Sequence, residues 1–225
     1  MNYSYNSDTA ALQGRVSFVR SVYAWLMGGF LVAGVGAVSA PFAAALLFPM
    51  LGRMFVLALL LAFYGTFFWA NAVSRRRPQN RFAYAAFTFV AGILAGFASL
   101  AAAQQSGMGI VLAALGMTAA DFLVLSLVAL VSKKDFGFLG GFITTGLVVA
   151  LVGSIIGIFL QVELFHLLIS AIIVIACSAK ILWDTSRMLR AGDYSDAAGF
   201  ALSLFISLLN IFLNLLRLLS GGRRN

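Results

Sequence analysis

The chain has 225 residues, 62% hydrophobic and 10% charged, with a mean hydropathy of +1.02. These values exclude an ordinary soluble domain and define an integral membrane protein. The formal net charge of +8 does not point to nucleic acid, because the basic residues sit at the ends of apolar runs and not on one soluble face.

A helix needs roughly 20 consecutive apolar residues to cross a bilayer. In chain order, such runs lie near Val22 to Phe48, Met54 to Val73, Phe82 to Ala103, Gly109 to Val131, Phe138 to Leu160, Leu164 to Trp183 and Ala197 to Leu219. Barrel strands alternate over about ten residues, and these runs are too long and too uniformly apolar for that. The expected fold class is therefore all-α, a seven-helix transmembrane domain over residues 21–220 between short polar tails at 1–20 and 221–225. The first run has a rival reading as a signal peptide, since Arg15 and Arg20 precede it and Val38-Ser39-Ala40 resembles a cleavage site. Its length exceeds the roughly 7–15 residues of such a segment, and Pro41 would follow the cut, which weighs against cleavage.

Cytoplasmic loops collect Lys and Arg. With the N-terminus inside, the inner segments hold Arg15, Arg20, Arg75, Arg76, Arg77, Arg81, Lys133, Lys134, Arg187 and Arg190, and the outer ones only Arg53, Arg223 and Arg224. The N-terminus is thus expected in the cytoplasm. The side of the C-terminus stays open, because Arg223 and Arg224 would be better placed inside. Ser74-Arg75-Arg76-Arg77-Pro78 marks a loop, since proline ends the helix, and topology and anionic headgroups account for its charge.

Lipid supplies no hydrophobic drive between helices, so small residues that let backbones approach tell how they pack. Gly92 and Gly96, Gly137 and Gly141, and Gly153 and Gly157 show the four-residue spacing. The lone Cys177 can form no internal disulfide and reads as a packing residue.

With only seven acidic residues, the position of each is informative. Asp184 lies at the edge of the sixth run, and an ionisable group there is a functional-site hypothesis. Lys180 and Arg187 share its helical face at i−4 and i+3, so a structural ion pair at the boundary is the plain alternative. Asp121 is near the middle of the fourth run, where a carboxylate costs about 2.5–3.5 kcal/mol on insertion scales. It must face protein or water, as a pore or a polar packing site. Glu163 and His166 share a face where the sixth run begins, a weak metal pattern without further ligands. Asp135 is a loop acid or a cap for a helix from Phe136; Asp193 and Asp196 suit the start of the last helix; Asn210 and Asn214 suit interhelical hydrogen bonds. One His and one Cys, with no HExxH pair and no phosphate loop, give hydrolytic chemistry little material. No enzyme activity and no cofactor are expected.

The stretches Ser132 to Phe142 (SKKDFGFLGGF), Trp183 to Met188 (WDTSRM) and Ala201 to Leu219 (ALSLFISLLNIFLNLLRLL) resemble the Bax inhibitor-1, or transmembrane Bax inhibitor motif, family, and the likeness covers nearly the whole chain. The resemblance implies six helices around a central seventh, in a bacterial inner membrane. It also implies one of two roles. Some members are described as pH-sensitive calcium leak channels, gated on the cytoplasmic side by hydrogen-bonded aspartates on the sixth and seventh helices. Some bacterial members are described as modulators of a membrane-bound ATP-dependent protease.

Carried over by position, the first of those aspartates is Asp184. Where relatives commonly have the second, this chain has Ser207, within Ile206-Ser207-Leu208-Leu209-Asn210. Two carboxylates in one site share a proton and so form a switch; a serine cannot ionise, so the switch should be weakened or absent. Asp184 can instead accept a bond from Ser207 or pair with Lys180, Arg187 or an arginine of the second loop, Arg75 being one candidate. Asp121 either substitutes for the missing acid or forms a separate polar site, and depth favours the separate site. The leading reading is a calcium leak pathway gated near Asp184, with the lipid bilayer as its setting. The competing one is a non-conducting regulator of a membrane protease or stress response.

Overall fold

The computed structural model describes residues 2–52, 54–132, 134–160, 162–191 and 194–221, with side chains from residue 13 onward and without that of residue 158. The described residues form seven α-helices and no strand: α1 (Asn2–Leu51), α2 (Met54–Ala72), α3 (Gln79–Ser106), α4 (Met108–Ser132), α5 (Leu139–Phe159), α6 (Glu163–Arg190) and α7 (Ala197–Gly221). All seven are long and apolar enough to span a membrane. The fold class is the one the sequence implies.

Glycine and proline set the breaks. Gly52 (φ +51) ends α1 and Gly107 (φ +88) ends α3, both in the left-handed region that glycine adopts without a Cβ penalty. Each returns its N–H to the preceding turn, Gly52 to the Phe48 carbonyl at 2.8 Å and Gly107 to that of Ala103 at 2.9 Å. Pro78 closes the arginine loop, and α3 starts one residue later.

Two helices exceed their apolar runs by the most. α1 extends back to Asn2, so residues 2–20, expected as a polar tail, are helical, and it runs through Pro41 and Pro49. α6 continues past Trp183 to Arg190, which puts Asp184 inside the helix and not at its edge.

The chain divides into two compact units, residues 1–94 with 188–205, and 95–187 with 206–225. The first is knit by aromatic rings. Phe205 meets Phe30, Phe87 and Tyr84 at centroid distances of 5.6, 5.8 and 6.4 Å, and Phe87 meets Phe63 at 5.4 Å. In this unit α1 and α3 also touch through backbone: a Cβ built on Gly92 would fall on the Ala33 carbonyl, and one on Gly36 would fall on that of Phe89. In the second unit α5 lies on α6 through small residues. Gly146 faces the Cβ of Ala176, Gly153 faces Ile169, and Gly157 faces the ring of His166. The Gly153/Gly157 pair thus marks a helix contact. Gly137 and Gly141 do not, since Gly137 meets its own loop residue Asp135 and Gly141 faces open space.

α7 is the most enclosed helix, with 56% of its apolar window buried against 11–33% in the other six. The close approach at Gly92 has a measurable consequence. Gly92→Ala should lower stability in detergent by about 1–3 kcal/mol through overpacking, whereas Gly116→Ala, with open space at its Cβ, should be neutral or slightly stabilising. Equal melting temperatures for the two variants would contradict the contact.

Candidate functional site

The buried polar residues concentrate on the last turns of α6, where Asp184, Thr185 and Ser186 are 2%, 0% and 3% exposed. An isolated buried carboxylate would lose its hydration without compensation. Asp184 is compensated from its own helix, because Lys180, one turn earlier, places Nζ 2.5 Å from Asp184 Oδ2. The i, i+4 spacing brings the two side chains over one another. The lysine remains 21% exposed while the carboxylate is 3% exposed, so the long stem carries the charge to the enclosed acid. Thr185 holds its hydroxyl buried with no hydrogen-bond partner.

Arg187, the other candidate cation on this face, stacks on Trp183 with Cζ 4.5 Å from the ring centroid. Lys180 Nζ lies 5.9 Å from the same ring. Cation–π attraction at such distances ties both cations to the Trp183 ring. Arg75 has its Nε 3.4 Å from Asp196 Oδ2. Asp196 also accepts the Gly199 N–H at 3.0 Å, which makes it the cap of α7 as expected of an acid there. Asp193, expected to serve the same turn, lies outside the described residues, as do Arg53, Lys133, Arg223 and Arg224.

Ser207, at the position of the family's second acid, is fully buried in α7. Asp121 sits on the protein-facing stripe of α4, and both of its carboxylate oxygens lie 3.1 Å from the Ser178 hydroxyl of α6. Ser178 precedes Asp184 by six residues, about 9 Å along the axis at 1.5 Å per residue. Asp121 is therefore a polar contact between α4 and α6, separate from Asp184. One expectation needs correction. Among the described residues Asn210 and Asn214 do not bond across helices; their amide nitrogens return to the carbonyls of Ile206 (2.9 Å) and Asn210 (2.8 Å), because each side chain reaches the free lone pair of the turn before it. Asp135 is an exposed loop acid, the first of its two expected roles; it accepts the Gly137 N–H at 2.8 Å, and α5 begins only at Leu139 with Phe138 as its N-cap.

Glu163 and His166 line a cavity of about 420 Å³ with Gln105, Leu167, Arg217, Ser220 and Gly221. Among the described residues no group of three His, Cys, Asp or Glu side chains gathers there or elsewhere, and the Arg217 guanidinium opposes a cation in that space. Sequence reasoning missed Ser178 and Asp196 as partners. A small hydroxyl residue inside an apolar helix was the signal for Ser178; an ion pair 121 residues apart left none.

These features define a polytopic helical membrane protein whose sixth helix carries a buried, internally paired acid. Within that class, residues 15–225 match the family described as inhibitor of apoptosis-promoting Bax1, and the chain belongs to that family. It is 33% identical over 223 residues, 99% of this chain and 98% of the relative, to the modulator of FtsH protease YccA of Escherichia coli K12. The inner membrane protein YccA of Escherichia coli O6:H1 gives the same figures. An uncharacterized protein of Helicobacter pylori J99 is 32% identical over 208 residues, 91% of this chain and 86% of the relative.

The Asp121 contact separates by substitution. Asp121→Asn keeps an acceptor for Ser178 and should leave thermal stability in detergent nearly unchanged. Ser178→Ala removes the carboxylate's hydrogen bond and should cost about 1 kcal/mol; equal stability of Ser178→Ala and the parent protein would show that the contact contributes nothing.

Proposed function

We propose that this chain is a multi-pass inner-membrane protein, N-terminus in the cytoplasm, that associates with and modulates an FtsH-type membrane-bound ATP-dependent protease. The observation that carries this reading is the end-to-end likeness to a protein named for that activity, 33% identity over 99% of this chain and 98% of the relative. The site geometry is compatible with it. A buried acid satisfied by Lys180 of its own helix is a fixed structural element, and Ser207 supplies no second ionisable group. The distribution of loop arginines supports the orientation.

A second reading, a calcium leak gated near Asp184, is favoured by one observation. Two polar pairs, Asp121 with Ser178 and Lys180 with Asp184, lie on the apolar α6 at different heights, and ionisable groups inside a membrane span mark ion pathways. In that reading Lys180 must leave Asp184 for the path to open.

One pair of measurements separates the two. The purified chain should co-purify with the protease from the membrane and change its rate of degrading a membrane substrate, and liposomes loaded with a calcium dye should show no flux above protein-free controls at any pH. Calcium flux that changes with Asp184→Asn, without protease association, would replace the first reading by the second. Flux that becomes pH-dependent only on Ser207→Asp would identify a channel that has lost its proton switch.

A further inference from the structure

Near the start of α3, Tyr84 meets Trp25 of α1 edge to face, with ring centroids 5.3 Å apart. The two rings line an open groove of about 410 Å³ together with Ser21, Gly28, Val32 and Arg81. Its one charged side chain is a cation. The Arg81 guanidinium, the Trp25 indole N–H and the Ser21 hydroxyl can all donate hydrogen bonds, and no carboxylate lines the groove. Tyr84 is 5% exposed and its hydroxyl is buried with no hydrogen-bond partner. Arg81 is exposed and forms no ion pair among the described residues. A cationic side chain beside hydrogen-bond donors, with no carboxylate to answer it, calls for an anion, and the groove surface at Gly28 and Val32 calls for an apolar tail attached to it.

Position along the chain gives the depth. Arg81 follows the loop of Arg75, Arg76 and Arg77 and stands just before the start of the third apolar run, and Trp and Tyr favour the headgroup level of a bilayer. Basic pockets between transmembrane helices at that level take anionic headgroups.

We propose that this groove binds one anionic phospholipid from the leaflet facing the arginine loop. Arg81 holds the phosphate, Ser21 donates to its oxygens, and an acyl chain lies along Gly28 and Val32. Arg81 suits this role as a planar fork of donors matched to phosphate. A zwitterionic headgroup is disfavoured because its ammonium group would lie beside the Arg81 guanidinium with no carboxylate in the groove to pair with it. The inference stands independently of the role in proteolysis or ion conduction.

The test is native mass spectrometry of the full chain in non-ionic detergent, titrated with phosphatidylglycerol, phosphatidylcholine or inorganic phosphate. One phosphatidylglycerol should be retained in preference to phosphatidylcholine. Arg81→Gln should weaken retention about tenfold, while Arg76→Gln, which removes the same charge from an exposed site outside the groove, should not. Val32→Trp should fill the apolar end and weaken retention with Arg81 in place. Equal retention of the two lipids, equal losses in the Arg81 and Arg76 variants, or phosphate bound as tightly as the lipid would each overturn the proposal. Should the melting curve show that Arg81→Gln does not fold, Val32→Trp decides alone, and unchanged retention in that variant is the contradicting result.

Discussion

A carboxylate enclosed in a membrane helix must be neutralised where it stands, and that constraint organises the end of α6. Asp184 is almost fully enclosed, and Lys180 is placed by helical geometry to meet it. The pairing explains why α6 does not stop where its apolar run stops. With the acid's charge answered, the helix carries Asp184, Thr185 and Ser186 into the interior and continues to Arg190. Removing either partner of such a pair is costly, since it strands the other charge in a poorly solvated place.

Packing around α6 follows a different rule. Without a hydrophobic drive, close backbone approach and interhelical hydrogen bonds must hold helices together. Gly146, Gly153 and Gly157 bring α5 against α6, while the Asp121 carboxylate and the Ser178 hydroxyl join α4 to it. In the other unit the same need is met by Gly36 and Gly92, whose missing side chains let α1 and α3 meet backbone to backbone. Polar contacts and small residues thus do in the membrane what large apolar side chains do in a soluble core. The aromatic cluster on Phe205 is the exception.

Much of this was legible in the sequence. Length and apolarity alone place all seven helices, and Pro78 marks a break that proline chemistry requires. The Lys180–Asp184 pair was readable too, because i, i+4 spacing is a local property. What was not legible depended on distant partners or on local competition. The length of α6 was underestimated because the apolar run ends at Asp184, and an apolar count cannot see that this acid is answered by Lys180. Arg75 finds Asp196 across 121 residues of sequence, which no local pattern records. Asn210 and Asn214 were assigned to other helices because their amides can bond across an interface, yet the carbonyl four residues back was nearer. Gly137 and Gly141 share the spacing of Gly153 and Gly157 without their surroundings, so spacing by itself does not identify a contact.

The reading of this family member as a protease modulator treats the Lys180–Asp184 pair as a fixed element of the interior and not as a gate. A double-mutant cycle with Lys180→Met, Asp184→Leu and the combined variant, followed by unfolding in detergent, measures that directly. A fixed buried pair should give single losses of about 3–5 kcal/mol and a double variant more stable than their sum by about 1–3 kcal/mol. Losses that add to within about 0.5 kcal/mol would show that the two side chains do not depend on one another.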